Sequence, residues 1–114
     1  MEPIEIARKA VSAASEKLAS DIVLLDTRGE NRFTDFFVIC SAESPRQIRA
    51  IQEEIERVLE NWGVFPHHHE GTADSGWLLL DYGSVVIHIF SAPVREFYQL
   101  DKLWEGANPL LRIQ

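Results

Sequence analysis

The chain reads as α/β, a single compact domain in which a mixed sheet of about five strands carries flanking helices. Three observations predict this. Short apolar runs recur between polar turns, at Asp21 to Asp26, Phe36 to Cys40, Trp77 to Asp81 and Val85 to Phe90, and runs of that length read as buried strands. Other segments place apolar residues at three- and four-residue steps, which is the period of a helix face. The length of 114 residues suits one ordinary core and not two.

Residues Pro3 to Ala19 predict a helix, because Ile4, Ala7, Val11, Ala14 and Leu18 share one stripe. That stripe is rich in alanine and thin, so the helix is expected at the periphery. Asp21 to Asp26 and Phe36 to Cys40 follow as strands. The polar connection Thr27 to Arg32 suits a loose antiparallel hairpin. At Ser44-Pro45-Arg46-Gln47 the sequence writes a helix start: a Ser cap, proline in the first turn and a Gln completing a capping box. Ile48, Ile51, Ile55, Val58, Leu59 and Trp62 form its apolar face, and Gly63 and Pro66 close it.

Val64 to Gly71 predicts a short edge strand. The stretch Gly76 to Phe90 is two apolar runs around Tyr82-Gly83-Ser84, hence a buried antiparallel hairpin in mid-sheet. Pro93 opens a further helix carrying Val94, Phe97 and Tyr98, which Leu100, Leu103 and Trp104 continue or close. The domain is expected to span residues 1–105, with 106–114 as an extended C-terminal tail, since Pro109 opposes helix.

Composition narrows the functions. Apolar residues at 46% and charged residues at 25% are those of a soluble globular protein. No apolar run approaches the ~20 residues that cross a bilayer, so no membrane partner is expected. Met1 to Glu5 resembles neither a signal nor a transit peptide, and a cytoplasmic location follows. Eleven basic against eighteen acidic residues give a net charge of −7, which repels phosphate and predicts little direct nucleic-acid binding. Work near RNA would run through a basic protein. The single cysteine, Cys40, cannot form an internal disulfide and reads as a buried, inert thiol.

His67, His68, His69 and His88 with Glu70 invite a metal reading, but on a strand alternate residues diverge and three or four ligands must converge, so no metal is expected. His88, between Val86 and Phe90, reads as a hydrogen-bonded core or half-buried imidazole. Asp35, Asp81 and Asp101 are scattered acids without a phosphate loop, a nucleophile elbow or a paired base, so neither catalytic residues nor a cofactor are expected. Binding fits better. Trp77, Tyr82, Tyr98 and Trp104 are amphipathic aromatics beside Asp74, Asp81, Glu96 and Asp101, the mixture from which interface anchors and charged rims are made.

Four ordered motifs then coincide. They are Thr34-Asp35-Phe36-Phe37-Val38-Ile39-Cys40-Ser41; Ser44-x-Arg46-Gln47-Ile48-Arg49-Ala50-Ile51; Glu70-Gly71 with Trp77-x-x-x-Asp81-Tyr82-Gly83-x-Val85-Val86-x-His88-x-Phe90; and Arg95-x-Phe97-Tyr98-x-Leu100-x-x-Leu103-Trp104. Together they resemble the ribosomal silencing factor, or Iojap-like, family over about Lys17 to Trp104. The resemblance implies a mixed α/β domain shaped like a nucleotidyltransferase but not known for that activity. It implies a translational repressor that binds protein fourteen of the large ribosomal subunit and sterically blocks joining of the small subunit. Carried over by position, the partner-binding residues would be Glu70, Trp77, Leu78, Asp81, Tyr82 and Tyr98. His67 to His69 and the tail after Trp104 depart from the family pattern. The alternatives are a metal-dependent nucleotidyltransferase-like enzyme built on Asp35, Asp81 or His88, and a module that self-associates, as a homodimer when free, through the edge near His67 to Glu70.

Overall fold

A computed structural model describes residues 1–29, 34–99, 102 and 106–114. The elements follow the chain as helix α1 (Pro3–Glu16), strands β1 (Ser20–Asp26) and β2 (Phe36–Ala42), helix α2 (Pro45–Glu60), strand β3 (His68–Thr72), a 3₁₀ turn (Ala73–Ser75), strands β4 (Trp77–Asp81) and β5 (Val85–Ser91), helix α3 (Ala92–Tyr98) and strand β6 (Asn108–Ile113). The six strands form one mixed sheet in the order β3-β4-β5-β2-β1-β6. Among the described residues only the β2–β5 pair is parallel. A parallel pair needs a crossover, and α2 with β3 and β4 supplies it.

Strand parity sorts the side chains into two layers. Ile22, Leu24, Phe36, Val38, Cys40, Leu78, Leu80, Val85, Ile87 and Ile89 face α1 and α2 and form the main core. Val23, Leu25, Phe37, Ile39 and Phe90 face the other way, with Trp77, Val86 and Val94 packed on them. Cys40 is fully buried, and burial pushes its thiol up to about 12.

Helix α1 is central and not peripheral. Ala7, Ala10 and Ala14 are completely buried, because methyl side chains let the helix lie close on α2 and the sheet. It also stops earlier than expected: Glu16 is its last residue and Leu18 turns left-handed at φ 62°, with its side chain in solvent. The Ser44 cap of α2 is present, its hydroxyl accepting the Gln47 amide at 3.1 Å. Gln47 does more than complete a box. Its Oε1 accepts from the Glu43 amide at 2.7 Å, and its Nε2 donates to the carbonyls of Lys17 and Leu18 at 3.1 and 2.9 Å, tying the end of α1 to the start of α2.

Helix α2 buries Ile48, Ile51, Ile55 and Leu59 as its spacing required. Trp62 does not join them. The chain has left the helix in a Schellman turn, with the amides of Gly63 and Val64 bonded to the carbonyls of Glu60 and Leu59, so the indole is exposed and lies under the Lys9 ammonium at 4.2 Å.

The expected C-terminal tail is extended, but β6 pairs antiparallel with β1 and belongs to the sheet, which has six strands among the described residues. Leu100, Leu103 and Trp104, expected to continue or close the last helical segment, lie outside the described residues, as does Asp101.

A candidate partner-binding face

The sheet face opposite α1 and α2 is covered unevenly. Over β3 and β4 it stays open, bordered on one side by α3. Register brings Glu70 opposite Leu79 and Thr72 opposite Trp77, while Trp77 pairs with Phe90 and Leu79 with His88 across the next strand. Those side chains share one face. Two glycines allow the close fit: at Gly71 (φ 79°) a Cβ would strike the Trp77 carbonyl, and at Gly76 (φ 82°) it would lie 2.8 Å from Ser91 Oγ and Val94 Cγ2.

Trp77 is the hinge of this face. Its ring centroid lies 4.9 Å from Phe90 and 4.8 Å from Tyr98, and its Nε1 donates to His88 Nδ1 at 3.1 Å. An indole N–H can only donate, so Nδ1 of His88 is the acceptor and the ring proton sits on Nε2. Burial lowers the His88 pKa to about 4, so the imidazole is neutral near pH 7. Phe37 meets it edge-on at 5.1 Å and Phe90 stacks on it at 5.9 Å. His88 is therefore the hydrogen-bonded core imidazole that the sequence suggested, and its acceptor nitrogen fixes the indole.

Between β4 and α3 runs a groove of about 550 Å³, lined by Glu70, Trp77, Leu79, Val94, Phe97 and Tyr98 among others. Its walls are apolar and its aromatics protrude: Phe97 is 79% exposed and Tyr98 50%. Helix α3 owes its place to Arg95, the one buried residue of that helix. The guanidinium donates to the Asp21 carbonyl at 2.7 Å and to Ser41 Oγ at 2.9 Å, and approaches the Asp21 carboxylate at 3.6 Å.

Four of the six residues expected to bind a partner lie on this face: Glu70, Trp77, Asp81 and Tyr98. Asp81 has a second task, since its Oδ1 accepts the Gly83 amide at 2.7 Å and closes the β4–β5 turn. Leu78 and Tyr82 are turned the other way. They are 3% and 4% exposed and belong to the helix-side core, because they have the opposite strand parity to Trp77 and Leu79. Burial, with Glu56 and Glu60 of α2 adding to it, pushes the Tyr82 phenol above its ordinary pKa. Leu79, Val94 and Phe97 were missed as lining residues, although the period of two already paired Leu79 with Trp77. Arg95 was missed too, and no local spacing marks it.

The histidine segment does not converge. His68 pairs with Glu70 at 2.9 Å, whereas the His67 ring lies against Gly83. Among the described residues no three His, Cys, Asp or Glu side chains form a cluster able to hold a metal ion.

Fold and face together define a small α/β domain with an open, aromatic and acid-rimmed sheet face. Residues 1–114 match the family described as ribosomal silencing factor during starvation, RsfS, and the chain belongs to that family. It is 37% identical over 110 residues to the ribosomal silencing factor RsfS of Halalkalibacterium halodurans, covering 96% of this chain and 93% of that protein. It is also 37% identical over 110 residues to the chloroplastic protein Iojap of Zea mays, covering 96% of this chain and 47% of that protein. Among solved structures, a Chromobacterium violaceum protein superposes with a TM-score of 0.88 at 30% identity, covering 100% of this chain and 95% of that one.

Proposed function

We propose that this protein is a non-enzymatic translational repressor that docks on the large ribosomal subunit through its protein fourteen and sterically blocks joining of the small subunit. The observation that carries the reading is the open face itself. Trp77, Leu79, Phe97 and Tyr98 form an apolar groove with Glu70 at its edge and Asp81 beyond, on a chain of net charge −7. Such a face suits a basic protein partner and would be repelled by bare phosphate. The family assignment supplies the ribosome as the place where that partner is found.

A steric mechanism needs occupancy, not turnover. A body of 33 × 32 × 24 Å seated on a subunit contact surface is thick enough to hold the two subunits apart. Docking needs about 800 Å² on each partner, a small share of the 6449 Å² surface. A cytoplasmic site of action goes with this role; no helix among the described residues is long and apolar enough to cross a membrane.

Co-sedimentation with isolated large subunits tests the reading. The wild-type chain is expected to migrate with them. Trp77→Ala, which removes a central aromatic, is expected to weaken binding tenfold or more while the domain stays folded by circular dichroism. Free migration of the wild-type chain would end the proposal.

A further inference from the structure

The groove between β4 and α3 has a composition that neither a core nor a general apolar patch requires. Three aromatic rings converge on it: Trp77 and Tyr98 lie 4.8 Å apart, and Tyr98 meets Phe97 edge-on at 5.0 Å. A carboxylate, Glu70, stands in the same lining, and the remaining walls are Gly71, Ser75, Leu79, Pro93 and Val94. Aromatic faces are electron-rich, so a ring cluster with a carboxylate beside it attracts a cation that can shed part of its water.

We propose that this groove is a guanidinium site, receiving one arginine side chain of the docked protein. The assignment rests on the reading of this face as a protein-docking surface and names the group it recognises. Arginine fits where lysine does not. A guanidinium is planar and weakly hydrated, stacks on aromatic rings and brings a fork of N–H donors, whereas an ammonium is a compact, strongly hydrated charge. Glu70 can meet that fork. Its Oε1 is engaged by His68 Nε2 at 2.9 Å, and a carboxylate has two oxygens and about four lone-pair directions. The net charge of −7 favours approach of such a group.

The volume agrees. A groove of about 550 Å³ takes one long side chain with its aliphatic stem against Leu79 and Val94, and the protruding Phe97 ring, 79% exposed, is placed to close over it.

The direct test is an NMR titration of the full chain with Nα-acetyl-arginine methylamide, using the citrulline analogue as a neutral control of the same shape. Shifts are expected at Trp77 Nε1–H, Tyr98 and Glu70, half-saturating at about fivefold lower concentration for arginine than for citrulline. In Glu70→Gln that preference should vanish, and in Phe97→Ala it should weaken; both positions are exposed, so the fold is kept. Equal response to the two probes, or a preference unchanged in Glu70→Gln, overturns the site.

Sedimentation separates this proposal from its parent. Glu70→Gln should lower large-subunit affinity by about tenfold and flatten its dependence on salt. Wild-type binding with no loss in Glu70→Gln overturns the guanidinium site and leaves docking intact. Arginine preference in a chain that never binds the large subunit supports the site and removes the ribosomal reading.

Discussion

His88 shows how one residue carries both structure and readout. Its Nδ1 accepts the Trp77 indole proton, and its burial holds the pKa at about 4 against an ordinary value of 6.5. The unfolded chain therefore binds a proton that the folded chain refuses between those two values. Stability is fully present above pH 6.5 and is lost as pH falls toward 4, by an amount on the order of 3 kcal/mol. Thermal unfolding followed from pH 7.5 to pH 5 is expected to show a falling midpoint in the wild type. The slope should be smaller in His88→Gln, which has no titrating ring, and an equal slope in both would place the effect elsewhere. Residue-scale placement was half legible in the sequence. The apolar neighbours of His88 and the buried Cys40 could be read directly, and the period of two also separates Trp77, Leu79 and Asp81 from Leu78, Leu80 and Tyr82. The positions carried over from the family resemblance ignore that parity, and Leu78 and Tyr82 lie in the core.

At the scale of elements, α3 and β6 depend on contacts that no local pattern announces. Helix α3 has seven residues, too short to be stable alone, and Arg95 binds it to Asp21 and Ser41. Asp21 sits at φ 48°, beside the register shift in β1, and also receives Arg112 of β6 at 3.1 Å, so one residue joins α3, β1 and β6. Arg95→Met is expected to lower stability by about 1–3 kcal/mol and to speed amide exchange in α3. The Trp77–Tyr98 ring contact, read as a nuclear Overhauser effect, should fade with it. Retention of that contact in a destabilised variant would show that Val94 packing alone holds the helix. Strand β6 escaped the sequence because its Pro109 and Arg112 are unlike the apolar runs of the inner strands, and edge strands tolerate such residues. Removing residues 107–114 should uncover the β1 edge and the Val23 and Leu25 side chains, giving a less soluble chain with a lower unfolding midpoint. An unchanged midpoint would mean that β6 adds nothing to the fold. The parallel β2–β5 pairing was equally hidden, since it joins segments far apart in the chain, whereas the β4–β5 hairpin and the Ser44 cap are local and were legible.

At the scale of the whole molecule, the two faces of the sheet divide the work. The helix side, filled by α1 and α2, supplies the main core; the other side leaves Glu70, Trp77, Leu79, Phe97 and Tyr98 around an open groove on an acidic body. Docking on a basic partner should weaken as salt rises, because rim charges act through a screened field, yet it should persist through the apolar contacts of the groove. The most direct measurement is sucrose-gradient sedimentation of the wild-type chain and Trp77→Ala with isolated large subunits, followed by addition of small subunits. The expected result is that the wild-type chain travels with the large subunit and reduces formation of joined ribosomes, while Trp77→Ala, still folded, does neither. A wild-type chain that stays at the top of the gradient, or one that binds while subunits join at their normal extent, would contradict the steric reading.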